Sequence, residues 1–334
     1  MVSQNFRDYL LPPDAPRILA ARGVSVATYA ERMLATEKAR DLKAHWEAML
    51  NETFRGITTD GHVQQGLFQR QDEGFAVEEA VTAASALLGT LSISQCERVC
   101  RPIDDNAWRA WYNPEIPFND LGIRLEDTAT QTREAFWQLL RTCTSDVGFE
   151  KVRQLMDANH FLGELYDLNN IMNRWSFHFM VFGEPSASAP WGWTIYGHHV
   201  AFCCFIVGRQ LVIAPTFMGV EPNVIARGDD TDCVLFTEEE RLGLKLMQSL
   251  NPEQQARATI FSQMEDPAMP PERFNFADQR HLGGAFQDNR VIPLEGICAA
   301  EFTPMQRAYL LETIESFINV LPDGPRAAKM AQVE

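Results

Sequence analysis

Long apolar runs are missing from this sequence of 334 residues. Its most apolar segment, VAFCCFIV from Val200 to Val207, falls far short of the roughly 18 residues that suggest a membrane-spanning helix. Positive charge is also scarce. Lys and Arg total 29 against 45 Asp and Glu, a formal net charge of -16. That balance argues against nucleic acid or an anionic membrane as partner, since both need clustered basic residues. The seven cysteines include no Cys-x-x-Cys pair. Cys96 and Cys100 stand four apart without neighbours to complete a zinc pattern, so reduced thiols are expected. The first residues lack a basic stretch followed by an apolar one, and no secretory signal is expected. With the cysteines, this makes a cytoplasmic location the expectation. No P-loop, G-x-S-x-G elbow, H-E-x-x-H pair or dinucleotide fingerprint occurs.

What is present reads as helices, then strands, then helices. Apolar residues recur at three- and four-residue spacings through residues 26–50, 126–142, 148–160, 238–250 and 304–320. Thr237 with Glu240, and Thr303 with Gln306, fit capping boxes. Asp266 to Gly284, rich in Pro, Gly and Asn, reads as a long loop. Between the helical parts, RWSFHFMVFG and GWTIYGHHVAFCCFIV are dense in aromatic and β-branched residues, as strands are. Gly208-Arg209 predicts a two-residue hairpin turn joining Val200–Val207 to Gln210–Phe217, with Phe202, Phe205, Val212 and Ile213 buried. Counting back along that ribbon sets His199 opposite Met218. The order predicts one α+β domain over 1–334: a helical part to about 170, a β part at 171–220, and helices again from 236.

Histidine is rare, yet two of the seven stand side by side in WGWTIYGHH. Adjacent side chains on a strand point to opposite faces, so His198 and His199 can share a cavity only where the strand ends or bulges. Gly197 makes such a distortion available. A third ring, His178, lies on the preceding strand. Imidazoles at strand positions are ordinary ligands for zinc, copper or iron, so His178, His198 and His199 are the candidate metal ligands. A further ligand is sought from Glu164, Glu184 or Asp288. A shared ion requires ring nitrogens within about 5 Å of each other or of a carboxylate. Glu164 is the candidate general base, Arg174 on the face of His178 is a second candidate catalytic residue, and Trp191 and Trp193 are candidate walls of a cofactor or ligand pocket. The functional expectation is a metal-assisted hydrolase or oxidoreductase acting on a small molecule. The competing expectation is a non-catalytic ligand-binding or scaffold protein whose paired histidines only anchor the sheet by hydrogen bonds.

The run FGEPSASAPWGW, then GHH and APTFMGVEP, resembles a bacterial and fungal family known as domain of unknown function 3500. The likeness extends to DDNAWRAWYN around Trp108, GIRLED, FEKVRQLMDANHFLGEL and DNRVIPLEGI, covering roughly residues 40 to 334. It implies a shared fold and site, with no reaction attached. It also implies further strands and a His-rich stretch beyond the segment matching DGPRAAKMAQVE, which this sequence does not include.

Overall fold

Three strands buried on both faces organise the molecule, and their side-chain parity divides its core in two. A computed structural model describes residues 6–226, 232–271, 273–274 and 283–334. Helices account for 45% of residues and strands for 12%, an α+β fold with helices at both ends around a mostly antiparallel sheet. Three helices come first, α1 (Pro16–Ala21), α2 (Val26–Leu34) and α3 (Glu37–Leu50). Then follow α4 (Val77–Leu88), α5 (Ile93–Val99), β1 (Cys100–Arg101), β2 (Ile123–Arg124), α6 (Thr130–Cys143) and α7 (Asp146–Tyr166). The sheet continues through β3 (His178–Phe182), β4 (Trp191–Gly197), β5 (Val200–Val207) and β6 (Gln210–Met218). A small ladder of β7 (Val224–Ile225) and β8 (Cys233–Val234) precedes α8 (Thr237–Ser249), α9 (Pro252–Ala258), α10 (Pro304–Ile318) and α11 (Asp323–Val333).

The sheet order is β1-β3-β4-β5-β6, with β2 beside β3 and only β1 parallel to its neighbour. Alternate residues along β3–β5 serve different cores. Phe179, Trp193, Phe202 and Cys204 pack under α4, α6 and the start of α7, through Leu87, Phe136 and Val152. Met180, Phe182, Tyr196 and Cys203 face Ile18, Tyr29, Leu42 and Trp46 of α1–α3. Full burial of each large apolar side chain contributes roughly 1.5–3 kcal/mol, so both faces bind the sheet tightly. Helix α7 serves both cores, Val152 and Leu155 in the first and Leu162 and Tyr166 in the second. It thereby passes the end of the sheet where β4 turns into β5.

The ribbon closes at Gly208, whose φ of +56° suits the first turn position, and Val207 pairs with Gln210. Its register slips between Phe202 and Cys204, which sets Met218 opposite Val200 rather than His199. Phe202 is fully buried, but Phe205 and Ile213 are half-buried and Val212 is 43% exposed. The reason is that β6 ends the sheet, with no further strand beside it among the described residues, while Phe205 on β5 borders a cavity. The expected helix over 26–50 breaks at Ala35-Thr36 into α2 and α3. At α8, Thr237 is already the first helical residue and makes no cap, whereas Thr303 forms the capping box of α10. A further helix, α11, follows α10. Part of the expected loop at 266–284, namely 272 and 275–282, lies outside the described residues.

Candidate metal centre

His198 and His199 are the two central residues of the tight turn between β4 and β5, flanked by the pair Gly197–Val200. This answers the parity problem. Neither ring continues a strand, so neither is bound to one face. The turn is also demanding, because His199 has φ +61°, a region that only glycine enters freely. Gly197 has a different use from bending: a Cβ there would lie 2.8 Å from the Phe177 ring and 3.1 Å from the Ser176 carbonyl. The turn could not otherwise settle against the start of β3.

Each imidazole is oriented by an asparagine. Asn159 of α7 donates its amide hydrogens to the Asn173 carbonyl at 2.8 Å and to Ser176 Oγ at 3.0 Å. Its oxygen is thereby turned to accept from His198 Nδ1 at 2.9 Å. Asn113 Oδ1 accepts from His199 Nδ1 at 2.8 Å, while the Asn113 carbonyl takes the His199 backbone N–H at 3.1 Å. With both Nδ1 atoms protonated, both Nε2 lone pairs remain for a ligand. The rings stack with centroids 3.9 Å apart at 30°.

The third group comes from the chain leaving β6. Gly219 donates its N–H to the His199 carbonyl at 2.7 Å, and a Cβ on it would sit 3.4 Å from His199 Cβ. This lets the 219–222 segment lie against the imidazole and carries Glu221 Oε2 to 3.6 Å from His199 Nε2. One ring nitrogen from each histidine and a Glu221 oxygen all fall within 4.8 Å of one another. That spacing suits a common ion bound at about 2.0–2.2 Å from each ligand.

A second carboxylate lies behind them. Glu115 accepts from Arg17 at 2.7 Å and from the Tyr29 hydroxyl at 2.6 Å. These three, His198 and Glu221 share a cavity of about 110 Å³, backed by apolar groups such as Leu162 and Met172. Burial, reinforced by the nearby His199 ring, holds His198 down at about 3 despite both carboxylates. It is therefore neutral near pH 7, the form that ligates a metal. Burial pushes the Glu115 carboxyl up, but His198, Arg17 and Tyr29 outweigh it and hold it at about 2. Because His198 is itself neutral near pH 7, Arg17 and Tyr29 are what keep Glu115 ionised there. The adjacent His199 ring lowers the Glu221 carboxyl from its ordinary value, against a smaller opposing effect of burial.

The other sequence candidates lie elsewhere. His178 pairs in register with Tyr196 and stacks on its ring at 5.1 Å and 6°. Its Nδ1 donates to the Leu121 carbonyl at 2.8 Å, and it does not join the His198–His199–Glu221 group. The cause is register: His178 is a strand residue inside the second core, whereas the pair lies past the strand end. Burial, aided by Arg124, holds it at about 4. Trp191 and Trp193 are wholly buried and line none of the cavity beside His198, since strand parity turns both toward the first core. Glu164 is on the outer side of α7, 58% exposed and 3.6 Å from His160. Arg174 pairs with Asp157 at 2.5 Å beside a different cleft. Glu184 is exposed, and Asp288 is bound by Arg109 at 2.6 Å. The groups that sequence reading passed over are Asn113, Glu115, Asn159 and Glu221. Three of them stood inside the segments that carried the resemblance, Asn113 in DDNAWRAWYN, Asn159 in DANHF and Glu221 in APTFMGVEP.

A family model described as Protein of unknown function (DUF3500) matches residues 73–334. The chain belongs to this family. The histidine pair, both asparagines, Glu115 and Glu221 all fall within the matched segment, while Arg17 and Tyr29 precede it. No curated protein and no solved structure matches the chain. Among the described residues of this DUF3500 member, no helix is long and apolar enough to cross a membrane.

Proposed function

We propose that this DUF3500 protein is a metal-dependent enzyme acting on a small molecule at the β4–β5 turn. The observation that carries the reading is the convergence of His198, His199 and Glu221 within 4.8 Å, each ring tied back through Nδ1 to an asparagine. A metal-ligating histidine ordinarily donates its other ring N–H to such an oxygen, which fixes both tautomer and orientation. Two histidines and one carboxylate suit zinc, copper or iron, and leave positions for water or substrate. A divalent ion there would polarise an oxygen or lower the pKa of a bound water. Glu115 and Arg17 supply the adjoining cavity with one ionised carboxylate and its counter-charge, able to orient a polar substrate group. Either a hydrolase or an oxidoreductase is compatible with this ligand set.

Elemental analysis of the purified chain tests the reading. About one transition metal per chain is expected, removed by chelator and lost in the double variant His198→Ala, His199→Ala. Asn159→Ala should weaken metal affinity by roughly 10- to 100-fold. A chain that retains no metal after reloading with zinc, copper and iron in turn would overturn it. A second reading, a scaffold with structural histidines, is favoured by one fact: both Nδ1 groups are satisfied by asparagines of the surrounding protein. It predicts no metal under any of these conditions.

A further inference from the structure

The second sheet face also borders a cavity of about 600 Å³, set apart from the histidines. That volume is in the range of small-molecule sites, commonly about 300–1,000 Å³. Four aromatic side chains line it: Trp108, Trp111, Phe205 and Phe54. Trp108 is rigidly set, stacked on Phe182 at 3.9 Å and 18°, with its indole N–H on the Ile103 carbonyl at 2.8 Å and its ring edge-on to Phe205. Burial pushes the Cys203 thiol up to about 12, so this residue forms a neutral part of the wall and no nucleophile.

Among the described residues, the charge lining this cavity has one sign once pairs are removed. Arg109 is saturated, bound to Asp288 at 2.6 and 3.0 Å and to the Glu52 carbonyl at 2.7 Å. It has nothing left to anchor an anion. Asp105 accepts the Ala107 backbone N–H at 2.8 Å and pairs with no cationic side chain among the described residues. Asp104, exposed at the rim, has no partner among the described residues. Flat aromatic walls, one neutralised arginine and two uncompensated aspartates describe a site for a cation with an apolar ring. We propose that this cavity binds a flat, mainly apolar small molecule carrying one positive charge, its ring against Trp108 and Phe205 and its charge toward Asp104. The proposal is independent of the metal reading, and it is tested with chelated protein so that the two can fail separately.

The probes are 2-naphthylmethylammonium and its charge-reversed counterpart, 2-naphthoate, titrated into the whole chain by tryptophan fluorescence and calorimetry. The ammonium is expected to bind about tenfold tighter than the carboxylate. Asp104→Asn should narrow that preference, and Ala214→Trp, on the exposed edge strand lining the cavity, should abolish binding of both without altering the thermal melt. Equal affinity for the two probes, an unchanged preference in Asp104→Asn, or undiminished binding in Ala214→Trp would each overturn the proposal.

Discussion

Replacing His178 by Gln tests whether that ring is a neutral core residue. In the fold it is 1% exposed, its Nδ1–H on the Leu121 carbonyl and its face on Tyr196, and it titrates at about 4 because it is buried. In the unfolded chain the same ring titrates near 6.5. Well above that pH both states are neutral, and the group adds no pH dependence. As pH falls below 6.5 the unfolded chain takes up a proton that the folded chain refuses, so stability is lost. The loss continues until about pH 4 and then levels. The gap between 6.5 and about 4, at roughly 1.36 kcal/mol per pH unit, corresponds to ~3 kcal/mol in total. About 2 kcal/mol of it is gone by pH 5. Gln still donates to the Leu121 carbonyl but binds no proton in either state. Urea unfolding with chelator present, at pH 7.5, 6 and 5, should therefore show the wild type ahead at pH 7.5 and its lead shrinking by about 2 kcal/mol at pH 5. Comparing the two chains cancels His198, Glu115 and every other titrating group. A stability difference that stays constant across this range would refute the reasoning and return His178 to the list of solvent-linked or ligating residues.

Two further outcomes follow from backbone geometry. Gly192→Ala sets a Cβ 2.1 Å from the Cys204 carbonyl and 2.7 Å from the Trp108 ring, so it should destabilise by about 3 kcal/mol or more in denaturant melts. A loss under about 1 kcal/mol would show that β4 and β5 can separate there. His199→Gly removes a non-glycine residue from φ +61° but also the bond to Asn113; these effects are each about 1 kcal/mol and opposed. Stability should stay within about 1 kcal/mol of wild type while bound metal is lost, and a loss above about 3 kcal/mol would mark the ring as structural.

How far the sequence disclosed this site depended on the kind of information each residue carried. The ribbon of Val200–Val207 with Gln210–Phe217 was legible because dense aromatic and β-branched residues and one Gly-Arg turn act over a few residues. The register slip at Cys203 was not, since a bulge is decided by packing on both faces at once. The histidine pair stood out by composition, and the strand end it required is now seen to be the turn itself. The distance of His178 from the pair was not legible, because proximity along a sheet depends on register, and its partner in register is Tyr196 rather than His198. Glu221 and Glu115 carry no local mark. One reaches the site because Gly219 lets its segment lie on His199, the other because Arg17 and Tyr29, from helices far back in the chain, meet it there. Trp191 and Trp193 were read for their chemistry when strand parity had already assigned them to the core.

The turn itself gives the strongest reason to look for function at this point. Local energetics favour glycine or asparagine at a turn position with positive φ, yet this chain places an imidazole there. A residue held in that region costs on the order of 1 kcal/mol and persists only where its surroundings over-determine it. Here three contacts do so: the Asn113 carbonyl on its N–H, the Asn113 side chain on Nδ1, and the Gly219 N–H on its carbonyl. Such investment would be unnecessary for closing a hairpin, which Gly208-Arg209 does at the other end of β5 without any. What distinguishes the two turns is that only one is embraced by asparagines, roofed by Glu221 and set beside a cavity holding an ionised Glu115. Strain, oriented lone pairs and converging carboxylates coincide at His198 and His199, and the coincidence is what a ligand site requires and a simple chain reversal does not.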